Sequence, residues 1–225
     1  MMDPLIIIPA FNEEKAIADV IKDLKSHDYH NILVIDDGSK DRTAEIAKEN
    51  GAKVIKHIIN RGQGAALQTG NEYAIKNNIE VIVHFDADGQ FIAEDIKNML
   101  EPLKEGYEIV LGSRFLGKKP INIPFEKKLI LKGGRLFTKL FSNISLSDTH
   151  NGFRAISKST LEKLKIKQDG MAHASEIIDL IKKNNLKYKE VPVTVIYSDY
   201  SISKGQGIFN SLRIAFKLII RKLSN

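Results

Sequence analysis

The chain has 225 residues, 43% of them hydrophobic and 28% charged, which suits one large soluble globular domain or two small ones. It contains no Cys, which excludes a disulfide framework, thiolate catalysis and cysteine-based zinc sites. The net charge is +6, and no stretch reaches roughly 18 uncharged apolar residues, so no bilayer-spanning helix is expected.

The N-terminal apolar run is too short for a signal peptide. That run, "LIII" (5–8), reads as a strand and is followed by "PAFNEE" (9–14). In 13–25, Ile17, Val20, Ile21 and Leu24 recur at helical spacing. "ILVI" (32–35) is the second strand; it runs into "DDGSKDRT" (36–43), where Asp41 is placed to cap a helix over 41–50. "KVIK" (53–56) is the third strand, followed by "INRGQGAA" (59–66) and a helix over 64–77. "VIVHF" (81–85) is the fourth, ending in "DADGQ" (86–90) ahead of a helix over 92–104. "EIVLG" (108–112) is the fifth and leads into "GSRF" (112–115). Near-continuous apolar strands alternating with amphipathic helices predict an open, mostly parallel α/β sheet with right-handed crossovers and helices on both faces.

The pattern loosens after residue 115. Residues 125–142 read as a basic helix, "GFRAIS" (152–157) as a short strand and 173–184 as a helix. "LKYKEVPVTVIY" (186–197) alternates and carries a proline, which suits a strand near a sheet edge. In 207–223 an apolar stripe of Ile208, Leu212, Phe216, Ile219 and Leu223 faces Arg213, Lys217 and Arg221. No acid follows Asp199, so this helix suits an anionic membrane surface. The alternative is a helix packed on its own domain with solvated basic residues. Nucleic acid is disfavoured as a partner, because no aromatic stacking run or nucleic-acid motif accompanies the charge.

In open α/β sheets ligands bind beyond the carboxyl ends of the strands, and five polar or glycine-rich stretches fall there. "INRGQGAA" is neither a dinucleotide fingerprint nor a P-loop. Its Gly62 and Gly64 fit either a ligand pressed against backbone or a glycine turn before a helix. Asp86, Asp88 and Gln90 alternate onto one side of an extended segment, a set of oxygen donors suited to a hard divalent cation with positions left open for a diphosphate. An Asp-rich turn is the other reading. His84 reads as a satisfied core residue, and neither His150 nor His173 has metal-ligand spacing.

Taken in order, "PAFNEE", "DDGSKDRT", "NRGQGAA", "DADGQ", "GSRF" and "NGFRA" make the chain similar to family 2 glycosyltransferases of the GT-A fold, most of all to the dolichyl- or polyprenyl-phosphate sugar synthases. The resemblance covers roughly residues 4–200. It implies one catalytic domain over 1–200, with a nucleotide-sugar half (1–115) and an acceptor half (116–200), and a separate basic helix over 201–225. It implies that Pro9, Ala10, Asn12 and Glu13 line a nucleoside pocket, that Asp37 contacts the base with Asp36 supporting its loop, and that Gly62 and Gly64 let the third loop pack beside the nucleotide. Asp86, Asp88 and Gln90 would surround Mg²⁺ or Mn²⁺ on the donor diphosphate. Arg114 and Arg154 would meet phosphate charge, and Asp148 would lie on the acceptor side.

The implied activity is inverting hexose transfer from a GDP- or UDP-sugar to a polyprenyl phosphate, by a protein peripheral to the cytoplasmic membrane face and with a possible membrane-protein partner. A lipid phosphate is already ionised and needs no base; a sugar hydroxyl does, and Asp148 and Glu176 are the candidates, Glu176 reading equally as a solvated or structural helix residue. Transfer to a sugar hydroxyl in polysaccharide or glycolipid synthesis is the alternative, and a non-catalytic nucleotide-sugar-binding partner is one of another class. Two departures bear on the acceptor. Phe11 replaces the usual Tyr, and Ser203-Lys204 lacks the preceding Arg, leaving Lys204, with Lys127, Lys128 and Arg135, as acceptor-phosphate contacts.

Overall fold

The computed structural model describes residues 3–117, 146–149, 151–198 and 200. The basic helices expected over 125–142 and 207–223, with Lys127, Lys128, Arg135 and Lys204, lie outside the described residues.

Seven strands form one sheet: β1 (Leu5–Ala10), β2 (Ile32–Asp36), β3 (Lys53–Lys56), β4 (Val81–His84), β5 (Ile109–Ser113), β6 (Arg154–Ser157) and β7 (Tyr188–Pro192). Their order is β3-β2-β1-β4-β6-β5-β7. All pairings are parallel except those of β6, which runs antiparallel between β4 and β5. The helices are α1 (Ile17–Ser26), α2 (Thr43–Glu49), α3 (Gln63–Lys76), α4 (Ile96–Lys104), the single turn α5 (Lys158–Leu161) and α6 (His173–Lys183). A 3₁₀ turn, Ala93–Asp95, leads into α4.

The central strands β1, β2 and β4 are buried at every position and almost wholly apolar because both faces are covered. On one face Ile6, Ile8, Val34 and Val83 pack beneath α1, α2 and α4. On the other Ile7, Leu33, Ile35 and Ile82 pack with α3 and α6. Ile6, Ile7 and Ile8 are all fully buried; each such side chain contributes about 1.5–3 kcal/mol.

Three boundaries differ from those read in the sequence, each for a local reason. α1 begins at Ile17, not 13, because residues 13–16 form a turn in which the Glu13 carbonyl accepts from Ala16 and Ile17 N–H. α2 begins at Thr43, whose N–H donates to Asp41 Oδ1 at 3.0 Å. β7 stops at Pro192. Beyond it the backbone turns to other partners: Thr194 N–H donates to Asp95 Oδ2 and Ile196 N–H to the Gln90 carbonyl. Residues 193–197 therefore tie the end of the edge strand to the loop after β4.

Candidate active site

The loops after β1 and β2 are zipped together. Asn12, in a left-handed conformation at φ 54°, accepts from Lys40 N–H through its side-chain oxygen at 2.9 Å, while its own N–H donates to Ser39 Oγ. Glu13 is buried; its N–H donates to Thr43 Oγ1 at 2.7 Å, and its Oε2 accepts from the Tyr200 hydroxyl at 2.7 Å. Burial, with Glu13 acting in the same direction, raises the Tyr200 phenol. Pro9 and Ala10 are buried β1 residues paired with Ile35 and Asp36. Asp36 accepts from Ser39 N–H and lies 3.3 Å from Lys56 Nζ.

Asp37, expected on the base, is bonded to the loop after β3. Its Oδ1 accepts from His57 Nδ1 (2.7 Å) and Arg61 N–H (3.0 Å), and its Oδ2 from Gly62 N–H (2.6 Å). Both oxygens are engaged by the loop after β3, so this buried carboxylate fixes that loop's shape. A carboxylate only accepts, so His57 Nδ1 carries the proton.

Gly62 and Gly64 serve a close approach, but of the chain to itself. A Cβ on Gly64 would fall 1.9 Å from the Gln168 carbonyl oxygen, and one on Gly62 2.4 Å from that of Asp169. Ala65 N–H donates to the Asp169 carbonyl. The 167–169 segment is held in turn by Glu176, whose Oε2 accepts from Lys167 and Gln168 N–H at 2.9 and 2.8 Å. Glu176, offered as a general base, is buried and braces this segment through Oε2.

Asp86 and Asp88 follow β4 at the carboxyl edge. Gln63 Nε2 donates to Asp86 Oδ1 at 3.0 Å, and Gly152 comes so close that a Cβ there would lie 2.5 Å from Oδ2. Burial pushes the Asp86 carboxyl up, against the pull of Arg154 and Arg114. Gln90 donates to Asp88 from both its backbone N–H (3.1 Å) and its side-chain amide (2.8 Å), so it braces Asp88 in this arrangement. Among the described residues no three His, Asp or Glu side chains converge on one cation position. Two carboxylates at alternate positions still fit a hard divalent cation whose remaining ligands are water or substrate phosphate.

Opposite these acids stand two buried guanidinium groups. Arg114, just after β5, donates from Nε to Asp148 Oδ2 at 2.6 Å and from NH1 to the Tyr197 hydroxyl. Burial opposes its charge, but Asp148 and Tyr197 outweigh burial and raise its pKa. Asp148 is presented by Glu190 of β7, which accepts from Ser147 N–H and hydroxyl and from Asp148 N–H. Arg154 lies at the start of β6. Burial lowers it to about 10, with Asp86 and Asp148 sustaining its charge. It lines a small cleft with Asp148, Thr149, Asn151 and Ile177, and it makes one long hydrogen bond, to the Gly152 carbonyl at 3.4 Å.

Beneath Arg154, His84 Nε2 meets Asn71 Oδ1 at 2.8 Å. Burial, reinforced by Arg154, holds His84 neutral. His173 is also neutral, lowered by burial to about 4, and its Nδ1 is 2.9 Å from the Gly170 carbonyl. His84 is only half satisfied, because its Nδ1 is buried without a partner.

A family model described as "Glycosyl transferase family 2" matches residues 5–165. The chain belongs to glycosyl transferase family 2. It is 42% identical over 222 residues to an uncharacterized Methanocaldococcus jannaschii protein, covering 97% of this chain and 91% of that one. It is 37% identical over 246 residues to the UDP-N-acetylglucosamine–dolichyl-phosphate N-acetylglucosaminyltransferase of Methanococcus voltae, covering 99% and 98%. The fold is similar to that of glucosyl-3-phosphoglycerate synthase of Mycobacterium tuberculosis, solved with Mn²⁺, UDP-glucose and phosphoglyceric acid. The TM-score is 0.74 at 19% identity, over 97% of this chain and 78% of that one. This family 2 glycosyltransferase therefore has the GT-A architecture expected from its motifs and is a nucleotide-sugar-dependent enzyme.

Several groups that shape the transferase site were not singled out in the sequence. Gln63 sits inside a stretch read for its glycines, His57 is one residue past a strand, and Glu190 and Tyr197 lie in a run read only for alternation. Asn71 is a polar residue facing inward in the middle of α3, a signal the helical periodicity contained.

Proposed function

We propose that this transferase moves a hexose from a nucleotide diphosphate sugar to a polyprenyl phosphate at the cytoplasmic membrane face, with inversion at the anomeric carbon. The observation that carries this reading is the state of the two carboxylates that could have activated a hydroxyl acceptor. Glu176 Oε2 accepts from two backbone N–H groups, and Asp148 Oδ2 is clasped by Arg114, so each carboxylate has a structural task. A phosphate monoester is ionised at neutral pH and attacks without a base. The lipid-phosphate acceptor named for the Methanococcus voltae relative supports the same reading.

In this reading the zipped loops of Asn12, Glu13, Asp36 and Asp37 shape the nucleoside end, and Asp86 and Asp88 would hold Mg²⁺ or Mn²⁺. Such an ion, when bound, offsets charge on the diphosphate. Gln63 fixes Asp86, Gln90 fixes Asp88, and Arg114 and Arg154 place positive charge where the leaving group and acceptor phosphate meet. Charge placed there stabilises the transition state more than the ground state because the leaving group gains negative charge as the glycosidic bond breaks. The basic 207–223 helix would hold the enzyme on anionic lipid, alone or beside a membrane-protein partner.

One observation favours transfer to a sugar hydroxyl instead. Burial pushes the Asp86 carboxyl up, which makes it a better proton acceptor than an ordinary carboxylate when no cation occupies it. A panel of UDP- and GDP-hexoses with Mg²⁺ or Mn²⁺, offered in parallel to polyprenyl phosphate and to glycan acceptors, separates the two readings.

A further inference from the structure

His84 of β4 and Arg154 of β6 are directly opposed in the antiparallel pairing. Opposed residues share a sheet face, with Cβ atoms roughly 4.5–5.5 Å apart. That face is covered by α3, which brings Asn71 onto the imidazole. All three side chains are buried. They form a row leading from the helix layer to the carboxyl edge, where Arg154 lies between Asp86 and Asp148.

The hydrogen bonding along this row is incomplete in a specific way. Asn71 and His84 share one bond, and each keeps one buried atom without a partner: Asn71 Nδ2 and His84 Nδ1. Arg154 has the opposite surplus, five N–H donors against a single long bond to the Gly152 carbonyl. A guanidinium has no acceptor, so it disfavours an N–H directed at it and favours a lone pair. If Asn71 Oδ1 accepts from Nε2–H, the Nδ1 lone pair is what His84 offers to Arg154. The opposite amide orientation would protonate Nδ1 and turn a donor toward a donor-rich neighbour.

We propose that Asn71 and His84 form a buried relay that positions Arg154: Asn71 holds the imidazole as its Nε2–H tautomer, and the Nδ1 lone pair meets the guanidinium through one enclosed water. Neither residue touches substrate. Their effect passes through Arg154, which shares the field of both Asp86 and Asp148 and has no other side-chain bond among the described residues to fix its orientation. The relay rests on the proposed role of Arg154 only for its kinetic consequence; its tautomer and contacts stand independently of the substrates.

Nitrogen NMR of the imidazole side chains tests the tautomer without any transfer reaction. The chain has six His, and the His84→Gln variant identifies the His84 signals by their loss. The expected spectrum is a neutral ring protonated at Nε2 in the wild type, with the Nδ1-protonated tautomer appearing in Asn71→Leu. A wild-type ring protonated at Nδ1 overturns the proposal. Kinetics then test the positioning. His84→Leu is expected to lower kcat for hexose transfer roughly tenfold, as loss of an outer-shell partner does, with donor KM within about twofold. His84→Gln, whose amide oxygen can accept from Arg154, is expected to recover most of that loss. Wild-type kcat in folded His84→Leu, or an equal loss in both variants, overturns it. A correct spectrum with no transfer to any acceptor would count against the proposed function and leave the relay standing.

Discussion

Arg114 Nε and Asp148 Oδ2 are 2.6 Å apart, both side chains almost wholly buried. The pair joins the end of β5 to the segment ahead of β6, and Glu190 of β7 holds that segment from the other side. Removing one partner of a buried pair leaves the other charge uncompensated, typically at a cost of about 3–5 kcal/mol. Asp148→Ala is therefore expected to lower unfolding free energy in urea by about that amount, whereas Asp148→Asn, which keeps an acceptor, is expected to lose less. Equal stability of Asp148→Ala and wild type would show that the pair is not structurally coupled.

Gly64 is expected to tolerate no side chain. A methyl group there meets the Gln168 carbonyl, part of a backbone segment whose Gln168 N–H donates to Glu176. Overpacking of this kind costs about 1–3 kcal/mol. Gly64→Ala should lower the melting temperature and raise donor KM together, because the loop it displaces is the one Asp37 shapes. Gly89, with nothing within 4 Å of its Cβ position but a φ of 74°, is the contrast: Gly89→Ala is expected to show only the cost of left-handed backbone, about 1–2 kcal/mol.

Glu176 separates support from chemistry. Glu176→Gln keeps an oxygen for the Lys167 and Gln168 N–H groups and is expected to keep kcat within a few-fold of wild type. Glu176→Ala strands both donors and should destabilise the fold by about 1–3 kcal/mol per unpaired group. A large kcat loss in Glu176→Gln at unchanged melting temperature would restore it as a base.

The Asp86 carboxyl gives a pH signature. Its folded pKa is raised, so the folded chain holds this proton where the unfolded chain has released it. The corresponding stability is fully present below the unfolded carboxylate value, about 3.9, and is lost as pH rises through the raised folded value. At neutral pH the ionised group is thus a net burden. Asp86→Asn is expected to raise the melting temperature near pH 7, to lose that advantage toward pH 3 and to abolish transfer. Added Mn²⁺ should stabilise the wild type but not the variant. A calorimetric series over pH, with and without Mn²⁺, reads both effects.

Much of this architecture was legible in the sequence because apolar runs covered on both faces leave little ambiguity. β1, β2 and β4 are bounded by Pro, Asp and Gly, and their ends locate the carboxyl edge where the polar groups gather. The direction of β6 was not legible: "RAIS" pairs equally well either way by pattern, and its antiparallel partners β4 and β5 both lie more than 40 residues before it in sequence. The roles at the site were harder to read for a different reason. Asp37, Gly62, Gly64 and Glu176 carry the residue types of a ligand pocket, but their partners are backbone groups 8 to 25 or more residues away in sequence or farther, and no local pattern encodes those meetings. His84 and Asn71 show the same limit in the core, where pairing across a helix and a strand decides whether a buried polar atom is satisfied.

The most direct test of the central claim is product analysis after incubating the full chain with labelled UDP- or GDP-hexoses, Mn²⁺ and polyprenyl phosphate in anionic lipid, beside a parallel set of glycan acceptors. The account predicts one hexosyl-phosphate lipid of inverted anomeric configuration, formed only with divalent metal and lost in Asp88→Ala. Transfer to a glycan hydroxyl with none to the lipid phosphate would contradict it.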